Sequence, residues 1–358
     1  MLFWFVLSFA LSLLLVGLLR RRLLAMHMLD HPGQRRLHSA PVARGGGLAI
    51  VAAAMAVMLI AARATEDFDL LPLNGGLLIV AGVGWWDDRG GIGIAPRLLV
   101  HLLAAASVCA VLWQLGFISS ADLATAWWLI PMILIGVVAS INLHNFIDGA
   151  NGMLGLQSLF VLAMLFVFSR GAEPALTVAV LCCAGAVLGF LPWNFPTARV
   201  FMGDVGSCAL GYLLAALSVV AWAVGIISLV DALLLHSLVL IDGLCTIGLR
   251  MYSARRWWRA HREHFYQWLV RTGRSHARVV TVLQAWNLLL ILPLVLWLRM
   301  RRVANGELVA FNTGLQDPLA LWLLIGVFSG GVSIWWFGKR RLLGAYRAKY
   351  RHDKQRIG

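Results

Sequence analysis

The chain has 358 residues, of which 61% are hydrophobic and 13% charged, and its 30 Lys and Arg against 16 Asp and Glu give a formal net charge of +14. Its mean hydropathy is +0.82. A soluble domain carries about 25% charged residues, so these values exclude an ordinary soluble enzyme and indicate a polytopic membrane protein.

Eleven apolar segments predict an all-α fold of ten to eleven membrane helices, at 2–19, 45–62, 73–86, 98–115, 124–140, 153–169, 174–192, 207–224, 226–249, 279–298 and 318–337. The first has no basic stretch before it and no small-residue cleavage site, so it reads as a membrane helix and not a leader. Segment 73–86 is shorter than the roughly 20 residues that cross a bilayer, so its ends should reach into the flanking loops. The loops fall into two sets. One set, 20–44, 87–97, 141–152, 193–206, 250–278 and the tail 338–358, holds 25 of the 30 Lys and Arg. The other holds Arg63, Arg170, Arg299, Arg301 and Arg302. Cytoplasmic loops carry the excess of basic residues, so the first set is expected in the cytoplasm, with 299–302 as the exception. Orientation therefore accounts for the basic charge, and no nucleic-acid partner is expected. Five cysteines, Cys109, Cys182, Cys183, Cys208 and Cys245, lie in apolar segments as small buried hydrophobes. No linker or repeat divides the chain, and a single integral-membrane domain over 1–358 is expected.

Five loops of the basic set carry dense polar motifs. In DHPGQRRLHSAPVARGGG (30–47), prolines and glycines build a fixed loop. Arg35, Arg36, His38 and Arg44 offer it the forked donors that match phosphate oxygens. In GWWDDRGG (84–91), Asp87 and Asp88 are adjacent. Neighbouring helical residues point about 100° apart, so the two can face one point only if the helix has ended, and Gly90, Gly91 and Gly93 suggest that it has. In NLHNFIDGANG (142–152), Asn142, Asn145 and Asp148 are each three apart, a spacing that stacks them on one helical face.

In NFPTARVFMGDVGSCALG (194–211), Asn194 and Arg199 precede Asp204 at the start of a helix, and the surrounding glycines let backbone approach a ligand closely. An acid there suits magnesium, a hard cation that takes oxygen ligands. In the loop 250–278, His261 and His264 are three apart and are expected to share a helix face, with Trp257, Trp258 and Trp268 as interface anchors. No third ligand accompanies the histidines, which argues against zinc. Acids, amides and histidines thus gather on one side of the membrane, an arrangement that suits a magnesium-bound phosphate ester.

With these motifs in this order, the chain resembles the polyprenyl-phosphate N-acetylhexosamine-1-phosphate transferases, and within them the bacterial branch that initiates O-antigen synthesis. The resemblance implies a magnesium-dependent site, with manganese as the alternative, on the cytoplasmic face of the bacterial inner membrane. It implies transfer of a sugar-1-phosphate from a UDP-sugar to undecaprenyl phosphate with release of UMP. It matches Asp87 and Asp88 to the family's acidic pair, Asn145 and Asp148 to its Asn/Asp loop, Asp204 to its magnesium-binding segment and His264 to its histidine cluster. The expected roles are catalysis for Asp87, Asp88, Asp148 and Asp204, metal binding for Asp204 and Asp148, and substrate contacts for His38, Arg44, Asn142, Asn145, Asn194, His261 and His264. A homodimer is compatible with the resemblance. Two departures stand out. Asn151 occupies a position where many relatives have an acid, and His264-Phe265-Tyr266-Gln267 stands where a fuller histidine cluster is common. A secondary transporter is the rival reading. Transporters, however, place their sites near the midplane on broken helices, and here only Asp231 and Asp242 lie inside an apolar span.

Overall fold

A computed structural model of the protein describes residues 1–30, 41–67, 69–118, 123–255, 261–306 and 313–357. His38, Arg35, Arg36, Trp257 and Trp258 lie outside them.

The helices are α1 (Leu2–Ala25), α2 (Gly47–Thr65), α3 (Leu71–Gly90), α4 (Ile94–Gln114), α5 (Leu123–Ile147), α6 (Met153–Ser169) and α7 (Pro174–Asn194). They continue with α8 (Asp204–Ala223), α9 (Leu229–Leu235), α10 (Ser237–Tyr252), α11 (Phe265–Arg271), α12 (His276–Trp286), α13 (Leu292–Ala304) and α14 (Pro318–Ile357). Every predicted apolar segment is helical. Among the described residues, 8 helices are long and apolar enough to span a membrane, or 9 if the bent pair α9–α10 counts as one. The protein is an all-α, multi-pass membrane protein. As expected, α3 outruns its predicted segment at both ends.

Helix α8 is the central post: 94% of its apolar window is buried, and it packs against α3 and α5 on its two main sides. Its core face carries Tyr212, Leu213, Leu217 and Trp222, all buried. Helix α1 lies along α7, where Ser8 and Ser12 donate to the carbonyls of Cys182 and Ala186 at 2.6 and 2.7 Å. Small hydroxyl residues let membrane helices approach and give them a polar contact that lipid cannot. The opposite face of α1 shows Leu2, Phe3, Leu14 and Leu18 to the surroundings.

Two expectations about the helices change. The segment 226–249 is bent by 74° between α9 and α10. In hydrocarbon a broken helix must have its freed backbone satisfied from inside the protein. Buried Gln157 does this, donating to Leu235 O at 3.2 Å while its own oxygen accepts from Asn287 at 2.7 Å. Asn287 opens a π-helical turn, Asn287–Ile291, between α12 and α13. The basic cluster 299–302 is also explained. Arg302 pairs with buried Asp231 at 2.5 Å, Arg301 with Asp317, and Arg299 donates to Ile226 O. Each of these arginines thus has a local partner.

The all-α reading overlooked one element. A three-stranded sheet of β1 (Leu29–Asp30), β2 (Val42–Arg44) and β3 (Val200–Phe201) sits at the end of the helices where the polar motifs gather. Strands of two or three residues leave no periodicity to detect.

Candidate active site

The sheet joins two motifs that lie far apart in the sequence. β1 pairs antiparallel with β2, and β2 runs parallel to β3 with Ala43 opposite Val200 and Arg44 opposite Phe201. The ladder continues into the glycines: Gly45 and Gly46 N–H donate to Phe201 O at 3.2 and 2.9 Å, and Gly47 N–H donates to Met202 O at 2.8 Å. A Cβ on Gly47 would lie 2.3 Å from Gly206 Cα, so the glycine run and the GDVG turn can meet only because both backbones are bare. The result puts Arg44 beside two acids, with Nε 2.8 Å from Asp88 Oδ1 and Nη2 2.8 Å from Asp204 Oδ1.

The adjacent acids take separate positions. Helix α3 does not end before them, as the glycines had suggested, but runs to Gly90. Its geometry therefore splays the two side chains. Asp88 is fully buried and accepts the N–H groups of Asp204 and Val205 at 2.9 and 3.1 Å, one on each oxygen. Asp87 points elsewhere: it accepts from Ile92 N–H at 2.7 Å and from Arg97 at 3.1 Å, and its carboxyl lies beside that of Asp204. Gly203 precedes Asp204 at φ +74°, and a Cβ there would lie 2.4 Å from Asp88 Oδ2.

The Asn/Asp motif reaches the same place from α5. Asn145 Oδ1 accepts from Ser207 Oγ, in the first turn of α8, at 3.1 Å. Asp148 follows in the turn after α5. It is partly exposed at its surface, yet burial and the negative charges of Asp204 and Asp88 push its pKa well above the usual carboxylate range, against the pull of Arg44. Asn142 is on α5 but faces α4: it donates to Val138 O at 2.7 Å and lies 3.4 Å from His101 Nδ1. Asn151 donates its side-chain amide to Pro196 O at 3.2 Å and its backbone N–H to His276 Nδ1 at 3.1 Å. Asn194 differs from its expected role as a substrate contact. It is buried, its oxygen takes Gly152 N–H at 2.7 Å and its NH2 donates to Val200 O at 3.0 Å. Both ends of the amide are used, so Asn194 acts as a tie between loops.

The histidine loop docks on this centre. Tyr266 OH donates to Phe146 O, in the last turn of α5, at 2.9 Å. His261 and His264 do not share a helix face. His261 is in irregular chain and His264 caps α11, yet their rings still stack, with centroids 5.0 Å apart. Burial, then the charges of His264 and Arg250, pull the His261 pKa down to about 4, with Glu263 opposing. Glu263 accepts from Arg250 and Arg255, each at 2.9 Å. Asp242 on α10 accepts from Phe265 N–H at 2.8 Å and from Trp335 Nε1 on α14 at 3.0 Å. The sequence reading left Asp242 undecided and did not single out Arg97. A charge inside an apolar span is the signal that marks Asp242, whereas nothing but proximity in the fold marks Arg97.

Residues 70–222 match the model of glycosyl transferase family 4. Over those residues the chain is similar to that family. The matched stretch holds Asp87, Asp88, Asn142, Asn145, Asp148, Asn194 and Asp204, while Arg44, Asp242 and His264 lie outside it. The chain is 29% identical over 309 residues to the decaprenyl-phosphate N-acetylglucosaminephosphotransferase of Mycobacterium leprae, covering 76% of each chain. It is 26% identical over 286 residues to the Bacillus subtilis protein named "Probable undecaprenyl-phosphate N-acetylglucosaminyl 1-phosphate transferase", covering 78% of this chain and 80% of that one. It is 34% identical over 227 residues to the phospho-N-acetylmuramoyl-pentapeptide-transferase of Synechococcus elongatus, covering 58% and 61%.

The side chains also suit a hard divalent cation. Among the described residues no three His, Cys, Asp or Glu close into a ligand shell. Magnesium, however, needs only one or two carboxylates, with water and substrate phosphates completing its octahedron. Asp148 and Asp204 offer oxygen donors in a place where the acids Asp87, Asp88, Asp148 and Asp204 outnumber the guanidiniums of Arg44 and Arg97.

Proposed function

We propose that the protein transfers an N-acetylhexosamine-1-phosphate from a UDP-sugar to undecaprenyl phosphate, releasing UMP. The product would be the polyprenyl-diphosphate sugar that begins O-antigen or another cell-surface polysaccharide. The observation that carries this reading is the meeting of Asp87, Asp88 and Asp204 with Arg44 at one end of the helices, beside Asp148. The loops expected at that end hold 25 of the 30 Lys and Arg, which supports an orientation toward the cytoplasm of a bacterial inner membrane. The relatives whose names specify polyprenyl phosphates and N-acetylglucosamine support the substrate classes.

In this reading an oxygen of the lipid phosphate forms a bond to the sugar-linked phosphorus, and the bond from that phosphorus to the bridging oxygen breaks as UMP leaves. Such a displacement needs positioning and charge neutralisation more than covalent help. Asp87 is the acid that orients the lipid phosphate, because its side chain is the more open of the pair, whereas Asp88 is buried with both oxygens on backbone N–H groups of the Asp204 turn. Arg44 holds Asp204 in register and offers its guanidinium to phosphate oxygens. Asn145 stays fixed through Ser207. Magnesium, or manganese, held by Asp204 and Asp148 would supply positive charge against the diphosphate oxygens.

The test is release of UMP by the purified protein, in detergent or nanodiscs, with a panel of UDP-sugars, undecaprenyl phosphate and magnesium. Release that requires the lipid phosphate, and that is lost in Asp204→Asn with an unchanged melting temperature, is expected. Lipid-independent release, or full turnover by Asp204→Asn, would overturn the reading.

A further inference from the structure

The polar centre where α10, the histidine loop and α14 meet has no part in the chemistry above, yet it holds a charge in an apolar helix. Among the described residues, the hydrogen bonds of Asp242 converge on Oδ1: Phe265 N–H at 2.8 Å, Trp335 Nε1 at 3.0 Å and Thr246 Oγ1 at 3.3 Å. The same oxygen lies 3.7 Å from His264 Nδ1. That is too long for a hydrogen bond and within ion-pair reach, and His264 Nδ1 is buried with no hydrogen-bond partner.

Three neutral donors need an acceptor and not a charge. An amide oxygen would serve them equally, and a buried carboxylate is costly to keep. The group that gains from the charge is the ring beside it. A carboxylate facing one imidazole nitrogen fixes the tautomer and supports the positive charge the ring takes when its other nitrogen donates to an anion. The ring is otherwise well held. It stacks on His261 at 5.0 Å and lies 5.8 Å from Phe146, in the turn that leads to Asp148.

The rival use of the charge is as counter-ion to Lys339. This lysine on α14 is buried, its Nζ has no hydrogen-bond partner and sits 4.3 Å from the Trp335 ring. Glu263, already shared by Arg250 and Arg255, is the other acid nearby.

We propose that Asp242 is the positioning residue of His264, holding the ring by its Nδ1 side so that the opposite nitrogen donates to a phosphate of the sugar nucleotide. This rests on the sugar-nucleotide reading given above.

The test uses Asp242→Asn, which keeps an oxygen for the three neutral donors and removes only the charge. It is paired with His264→Gln, the double variant, and Asp242→Asn/Lys339→Met. Two readouts are taken on the full-length protein: stabilisation against heat by UDP-N-acetylglucosamine, and KM and kcat for UMP release with the best donor of the panel. Each single change is expected to weaken the donor response about 10- to 100-fold, with the KM for lipid phosphate unchanged and the ligand-free melting temperature retained. The double variant should lose no more than the worse single one, since two residues acting through one contact are not additive. Wild-type donor response in Asp242→Asn, additive losses, or recovery in the Lys339→Met background would each overturn the assignment. If the wild type responds to no UDP-sugar in either readout, the sugar-nucleotide reading itself fails and takes this one with it.

Discussion

Asp88 gives one oxygen to the N–H of Asp204 and the other to the N–H of the next residue, while its side chain is fully buried. The second acid of the pair is therefore a scaffold for the acid at the start of α8, and Arg44 locks the two together. Asp88→Ala removes one partner of a buried charge, a change that costs about 3–5 kcal/mol. A large fall in melting temperature is expected along with lost transfer. Asp87→Ala, whose side chain is more open, should lose transfer at a much smaller cost in stability. Thermal melting beside UMP release separates the two.

Gly203→Ala attacks the same relationship from the backbone. The residue needs a left-handed φ, and the added methyl would meet Asp88 Oδ2 at 2.4 Å. Backbone strain of this kind costs about 1–3 kcal/mol, and the displaced carboxylate should take Asp204 with it. Activity per folded molecule is expected to fall below detection. A variant that keeps wild-type turnover would show that the turn tolerates other geometries.

Asn194→Ala should behave as a loop defect. It strips the partners from Gly152 N–H and Val200 O, both in buried surroundings. Each orphaned group costs about 1–3 kcal/mol. The expected outcome is a lower melting temperature; a raised KM for the donor with melting unchanged would restore the substrate contact that the sequence suggests.

Much of this was legible from residues alone. Nine of the eleven apolar segments are single helices, 226–249 being bent into two and 279–298 crossing a π-helical turn, and the polar motifs of α3, α5 and α8 do meet at one end. What stayed hidden depends on partners distant in sequence. The glycines after Asp88 looked like a stop signal, but α3 continues because its end is packed: Gly84 lies so close to α8 that a Cβ there would be 2.6 Å from Asp204 O. The motif spacing of Asn194 cannot reveal that its amide is spent on Gly152 and Val200. The bend at His236 has neither proline nor glycine to announce it, and it is supported by Gln157 from another helix.

The pH dependence of stability should carry the mark of His261. Its pKa in the folded chain is down to about 4, against an ordinary value of 6.5. Between those values the unfolded chain binds a proton that the folded one refuses, so stability falls as pH drops from 6.5 toward 4 and levels off below. His261→Gln should flatten that part of the curve. Melting temperatures between pH 7.5 and 4.5, taken with the metal concentration fixed, check this.

At the far end of the helices, Arg302→Met leaves Asp231 with a buried, uncompensated charge, at a cost of about 3–5 kcal/mol. The double change Arg302→Met/Asp231→Leu should regain most of it, because an apolar pair of similar size often replaces a buried ion pair without loss. Turnover per folded molecule is expected to stay at the wild-type level in the double variant, since this pair is remote from the motif loops.

The two halves of the site are built from different materials. Cation and acid are seated by a strand ladder and a glycine-to-glycine backbone contact, so their separation is written into main-chain geometry and cannot be retuned by exchanging side chains. The histidine stretch is hung from side-chain hooks, Glu263 on two arginines, Phe265 on Asp242 and Tyr266 on Phe146. A loop held in this way can be loosened one hook at a time by single side-chain changes, while the ladder that seats Arg44 against Asp204 stays in place.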